Sequence, residues 1–195
     1  TGHYPITSGQ VFVGDIPISN WEKRVLNSLF SPVPQGDDAK MFSDTIAANI
    51  AFSKPEATQA EIEQAAKLAG IHNFVASLQE GYNTQIGDRG KRLSGGQKQR
   101  VALARAILAD RPVIFLDEAT SAVDAITERD IQRSMETILK GKTAIIIAHR
   151  LSTIWDIADN IIVLDKGYKV EEGTHLELVA KQGLYAKMVA LQQSE

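Results

Sequence analysis

Two stretches constrain this chain more than any other: Leu93-Ser94-Gly95-Gly96-Gln97, and, one helical pattern later, the apolar run Val113-Ile114-Phe115-Leu116 that stops at Asp117-Glu118. Ser94 lies three residues before Gln97 and just ahead of the helical pattern, so it reads as the N-cap of a Ser-x-x-Gln capping box. Glycine in a helix interior costs roughly 1 kcal/mol relative to alanine, so Gly95 and Gly96 in the first turn need a reason. Bare backbone at a helix N-terminus supplies one. Its unpaired N–H groups and the positive end of the macrodipole form an anion site that a phosphate can approach closely. The second stretch reads as a buried parallel strand that delivers two carboxylates to its C-terminal end, where open α/β sheets bind ligands.

In order, Leu93 to Gln97, the helix through Leu108, and Ile114-Phe115-Leu116-Asp117-Glu118-Ala119-Thr120-Ser121-Ala122-Val123-Asp124 resemble the signature motif, Walker B and D-loop of the ATP-binding cassette (ABC) ATPases. The resemblance implies an α/β fold: a RecA-like P-loop NTPase core with an α-helical subdomain and a partial antiparallel β subdomain, truncated at its N-terminus. It divides the partial nucleotide-binding domain 1–195 into three parts. Residues 1–35 are a remnant of the β subdomain and a core strand, 36–105 the helical subdomain with X-loop and signature, and 106–195 the core with Walker B, D-loop and switch histidine.

Composition agrees with that class. At 195 residues the chain can bury about 70% of its unfolded surface, enough for a substantial core. Cysteine is absent, which excludes a disulfide framework, a thiolate metal site and a cysteine nucleophile. A net charge of −3 with interspersed signs argues against a nucleic-acid surface. No apolar run approaches a membrane span, so a membrane link is expected through another chain or domain.

Along the chain, Gly14-Asp15 between Gln10–Val13 and Ile16–Ile18 signals a hairpin, with Pro17 confining its strand to an edge. Asn20 is expected to cap a short helix carrying Trp21, Val25, Leu26 and Leu29 on one side. From Thr45 to Leu78 the pattern is helical, with a Thr58-x-x-Glu61 capping box and Gly70 as a stop. His72 within it reads as a surface or capping histidine. After Asp124 an amphipathic helix places Ile126, Ile131, Met135, Ile138 and Leu139 inward and stops at Gly141. Strand Ala144–Ile147 follows and is expected to end at His149. Two strands flank Asp165-Lys166-Gly167, a Thr174-x-x-Glu177 box starts the penultimate helix, and a last helix runs from Leu184 to Gln192.

Three further segments extend the resemblance. Gln35, behind Val33-Pro34, resembles the Q-loop glutamine, although Gly36 to Lys40 departs from the shorter, more apolar link common in exporters. Tyr82 to Gly90 resembles the X-loop of exporters, which faces transmembrane coupling helices, and Thr45 to Ile50 looks like the exporter helix after the Q-loop. Ala148-His149-Arg150-Leu151-Ser152-Thr153 resembles the switch-histidine segment. Gly141-Lys142-Thr143 imitates a P-loop but follows a helix and precedes a strand, the reverse of what that loop needs, and Glu136 stands where its first glycine belongs. The family's phosphate loop and adenine-stacking aromatic do not occur here, and Tyr4 falls too late for the latter. The resemblance therefore covers roughly the last four fifths of a domain.

The resemblance implies ATP and Mg²⁺ as cofactors and hydrolysis between two head-to-tail domains. Asp117 would help hold Mg²⁺, Glu118 would act as general base or water-orienting group, and Gln35 would reach metal and water. His149 would meet the γ-phosphate. Ser94, Gly95, Gly96 and Gln97 would close over nucleotide held by the other domain, with Asp124 across the interface. The expected partners are a second nucleotide-binding domain and a transmembrane domain at the cytoplasmic face of the membrane, with no nucleic acid. The leading expectation is the ATPase motor of an ABC exporter, inactive as this chain alone for want of the phosphate loop. A soluble ABC ATPase and a catalytically dead regulatory or assembly module are the alternatives.

Overall fold

The structure, a computed structural model, describes residues 5–35, 38–117, 134, 135, 137–148 and 150–193. Glu118, Asp124, His149, Ile126 and Ile131 lie outside the described residues. Packing divides the chain into two compact units, Thr1–Ile147 and Ala148–Glu195.

The first unit opens with the expected hairpin. Strand β1 (Phe12–Val13) pairs antiparallel with β2 (Ile16–Pro17) around Gly14, whose φ of 59° suits a residue without Cβ. Asn20 does not cap the next helix. It ends a 3₁₀ turn, Trp21 is extended, and α1 (Lys23–Ser28) starts behind Glu22 with no side-chain cap. The 3₁₀ turn consumes the residues that the pattern assigned to the first helical turn. With six residues α1 buries Leu26 fully, whereas Val25 is 43% exposed.

A parallel sheet follows, with β4 (Val113–Asp117) between β3 (Phe30–Val33) and β5 (Thr143–Ile147). Ile114 and Leu116 are fully buried, as a strand flanked on both sides requires. Arg111 sets the register by donating to the carbonyls of Asn27 and Phe30 at 3.2 and 2.8 Å, and the Phe30 and Phe115 rings pack 5.3 Å apart. On β5, Ile145 and Ile147 remain about half exposed.

Between β3 and β4 the helical pattern resolves into separate helices: α2 (Ile46–Ala51), α3 (Gln59–Leu68), α4 (His72–Ser77) and α5 (Gly95–Ala109). Pro55 breaks the run after α2 and Gly70, at φ 67°, stops α3. A six-residue helix is unstable alone, so α2 depends on burying Ile46 and Ile50 completely, in contact with α5. Thr58 and Glu61 form the expected box: the Thr58 hydroxyl accepts from the Glu61 amide at 3.3 Å and the Glu61 carboxylate from the Thr58 amide at 2.7 Å. The helical residues that end at Leu139 bury Met135 and Ile138, Leu139 stays half-buried, and Gly141 at φ 72° turns the chain into β5.

In the second unit, β6 (Ile161–Asp165) and β7 (Tyr168–Gly173) form a hairpin through Lys166 and Gly167, both at positive φ, the geometry of a type I′ turn. The Thr174–Glu177 capping box starts α6 (His175–Ala180), and α7 (Leu184–Gln193) closes the unit. Glu171 of β7 receives the amides of Leu184 and Tyr185 at 2.7 and 2.9 Å, and so caps α7. No helix among the described residues is long and apolar enough to cross a membrane.

Candidate functional site: a signature helix and a strand-end carboxylate

Ser94 caps α5 in both directions. Its hydroxyl accepts from the Gln97 amide at 3.3 Å, and the Gln97 side-chain oxygen accepts from the Ser94 amide at 2.9 Å. The first helical bond runs from the Lys98 amide to the Ser94 carbonyl at 2.9 Å. The amides of Gly95 and Gly96 therefore have no acceptor within the helix, at the end where the macrodipole places about half a positive charge. Leu93, 7% exposed, anchors the entry from below. Arg100 donates to the carbonyls of Gly96 at 3.3 Å and Gly70 at 3.2 Å, tying the first turn to the end of α3. This helix of fifteen residues has Gly95 half-buried and Gly96 buried in its first turn.

At its other end α5 stops on Asp110, at φ 47°, whose carboxylate meets Lys142 at 2.7 Å. The chain then enters β4, which ends in the exposed Asp117. Val33 pairs with Leu116, so Gln35, two residues beyond β3, lies at the same carboxyl edge of the sheet as Asp117. Ser94 and Asp117 belong to different elements, and no hydrogen bond among the described residues joins them. Among the described residues no group of three His, Cys, Asp or Glu side chains could hold a metal ion. Asp117, exposed at the strand end, can supply one hard oxygen ligand.

The segment 82–90 is fastened to the start of α2 and the residue two before it. The Ile46 amide donates to the Thr84 carbonyl and the Ile86 amide to the Asp44 carbonyl, each at 3.1 Å, and Ile86 is fully buried. His72, expected at the surface or as a cap, is instead half-buried, with Nδ1 2.8 Å from the Tyr82 hydroxyl. Burial, and secondarily the charge of Glu63, pushes the Tyr82 phenol up to about 12.

Arg105 and Asn49 form a polar cluster that the sequence pattern does not disclose. Arg105 donates to the carbonyls of Asn49 at 2.8 Å and Lys40 at 3.1 Å and to Asn49 Oδ1 at 3.3 Å. Its guanidinium lies 5.6 Å from the Phe42 ring centre and 5.4 Å from that of Phe52, and these rings stack at 4.2 Å. The available signal was a polar residue, Asn49, on the apolar face of α2.

The model of the family described as "ABC transporter" matches residues 1–121. The chain belongs to this family. Over 189 residues, 97% of the chain, it is 48% identical to an ATP-dependent lipid A-core flippase of Colwellia psychrerythraea and 49% identical to heavy metal tolerance factor 1 of Caenorhabditis elegans. The chain spans 31% and 23% of the lengths of these relatives. A solved bacterial Atm1-family ABC exporter with ATP bound superposes with a TM-score of 0.93 at 44% identity, over 98% of this chain and 33% of that one. The α/β fold expected of this ABC transporter chain, a fragment of a P-loop NTPase, is therefore the one found. Of its expected site residues, Gln35, Ser94, Gly95, Gly96, Gln97 and Asp117 are described.

Proposed function

We propose that this chain is the greater part of the ATP-hydrolysing motor domain of an ABC exporter, which dimerises head-to-tail and drives transport by a transmembrane domain at the cytoplasmic face of the membrane. Within it, 1–35 contribute a β-subdomain remnant and core strand, 36–105 the helical subdomain, and 106–195 the rest of the core. The observation that carries the reading is the reciprocal Ser94–Gln97 cap, which leaves the Gly95 and Gly96 amides at the positive end of the helix without acceptors inside it. Membership of the family implies ATP binding.

The division of labour follows from chemistry. Phosphoryl transfer asks a protein for positioning and charge stabilisation rather than covalent steps. Ser94, Gly95, Gly96 and Gln97 would meet the phosphates of nucleotide held by the partner domain, with Asp124 at the interface. Asp117 and Gln35 would hold Mg²⁺, which when bound neutralises charge on the phosphate oxygens. Glu118 would take the proton of the attacking water, and His149 would donate to the γ-phosphate. Alone, the 195 residues lack the Gly-rich cradle and lysine that gather the phosphates, so the isolated chain would not turn over ATP.

The test is Glu118→Gln in a complete protein carrying this chain. ATP binding should persist while turnover falls by about 10² or more, because the variant keeps shape and loses the base. Unchanged steady-state hydrolysis would refute the assignment.

A further inference from the structure

The residues from Asp38 to Phe42, downstream of Gln35, are held by more bonds than a connecting loop needs. The Asp38 amide donates to the Gln35 carbonyl at 3.0 Å, and Ala39 and Met41 plug into the interior at 3% and 6% exposure. Asn49, wholly buried in α2, then treats Phe42 as a strand would. Its Oδ1 accepts from the Phe42 amide at 2.9 Å and its Nδ2 donates to the Phe42 carbonyl at 3.1 Å, with a second Nδ2 bond to the Thr45 carbonyl at 2.9 Å. Gly90, at φ 67°, closes over Met41 so tightly that a Cβ there would stand 2.9 Å from Met41 Cγ.

Arg105 reaches across from α5 to this assembly. Three N–H groups of one planar fork satisfy acceptors on two segments, Lys40 and Asn49, while the two stacked rings face its cation. Among the described residues no carboxylate pairs with it; carbonyl dipoles and ring faces answer its charge. A lysine, a point donor on a flexible stem, cannot reproduce that geometry. Arg105 and Ser94 share one uninterrupted helix, and over eleven residues that helix spans about 16 Å.

We propose that Arg105 is a positioning residue which, with Asn49, locks Lys40–Phe42 onto the signature helix, so that the Gln35 loop and the Ser94 helix start move as one body. The proposal rests on the roles given above to Gln35 and Ser94. A displacement of either end is passed to the other through one fork of hydrogen bonds. The site at the sheet edge and the trans-acting donor pair are then set together rather than separately.

Hydrogen exchange of the full chain tests the lock. In Arg105→Met the Phe42 amide should exchange roughly tenfold faster, while the amides of Val101 to Ala104 keep their protection. Arg105→Lys, which retains the charge and is the safer folder, should accelerate Phe42 about threefold, and it alone carries the test if Arg105→Met precipitates. Wild-type exchange at Phe42 in either variant, or equal acceleration along all of α5, would overturn the proposal, the latter by making Arg105 an ordinary packing residue. In a complete protein, Arg105→Lys should lower kcat for ATP about fivefold with KM within about twofold, because the fork sets geometry rather than nucleotide affinity. If Phe42 responds as expected but neither Gln35→Ala nor Ser94→Ala alters turnover, the lock stands and the roles assigned to those two residues fall.

Discussion

Val33 and Leu116 are register partners in the parallel sheet, so the chain departs β3 toward Gln35 at the level where β4 ends in Asp117. Burial of Leu116 at 1% exposure fixes the strand, whereas the carboxylate one residue on is exposed. Asp117→Asn in a complete protein should therefore leave thermal stability within about 0.5 kcal/mol, as for other surface changes. The same variant should raise the Mg²⁺ concentration that half-activates turnover by about tenfold, the loss of one anionic oxygen ligand. Magnesium titration of ATPase activity beside a thermal melt measures both, and an unchanged magnesium midpoint would remove Asp117 from the metal site.

The donor pair at the start of α5 has its own test. Gly96→Asp places a negative charge where an anion should dock, so ATP-driven dimerisation should weaken at least tenfold while each domain still binds nucleotide in its own site. Sedimentation with and without ATP, alongside a nucleotide titration, separates the two. Equal loss of both would mean that the motif serves its own domain.

Acid should loosen the helical region through a specific carboxylate. Lys54, 2.7 Å away, and then the Thr58 amide hold Glu61 down to about 2, against an ordinary 4.5. A depressed folded-state pKa means that the stabilisation is complete above about 4.5 and is lost as pH falls toward about 2. Glu177, lowered chiefly by the Thr174 amide, works in the same direction. Thermal melts between pH 6 and 2 should fall less steeply for Glu61→Gln, about the steepness attributable to one carboxylate. Identical slopes for variant and parent would show that the cap is not charge-assisted.

The isolated chain should show no ATP turnover above background. One helix end contributes about 0.3–1 kcal/mol per charge near the surface, too little to hold a polyanion against its hydration. A phosphate-release assay on purified chain checks this, and turnover at the rate of an intact domain would overturn it.

The parts of this architecture that are local in sequence were legible. Ser94–Gln97, Thr58–Glu61 and Thr174–Glu177 each carry donor and acceptor three residues apart, so the helix starts could be read directly and all three boxes are present. The apolar run ending at Asp117 announced a flanked strand in the same way. Asn20 misled because a 3₁₀ turn competes with capping over so short a stretch, and nothing in residue type separates the two. Arg105 was invisible for a different reason: its acceptors, Lys40 and Asn49, lie more than fifty residues upstream, and carbonyl oxygens leave no compositional trace.

Glu171 clasps the first amides of α7 from β7, and Gly183 leaves it room: a Cβ at that position would run into the Glu171 carboxylate. The last helix thus takes its starting signal from a strand that precedes it by a whole intervening helix. The interval from Glu171 to Leu184 behaves as a ruler of fixed length. One residue more or less between them would carry the amides away from the carboxylate, so related chains should vary here by substitution and keep their insertions for elsewhere.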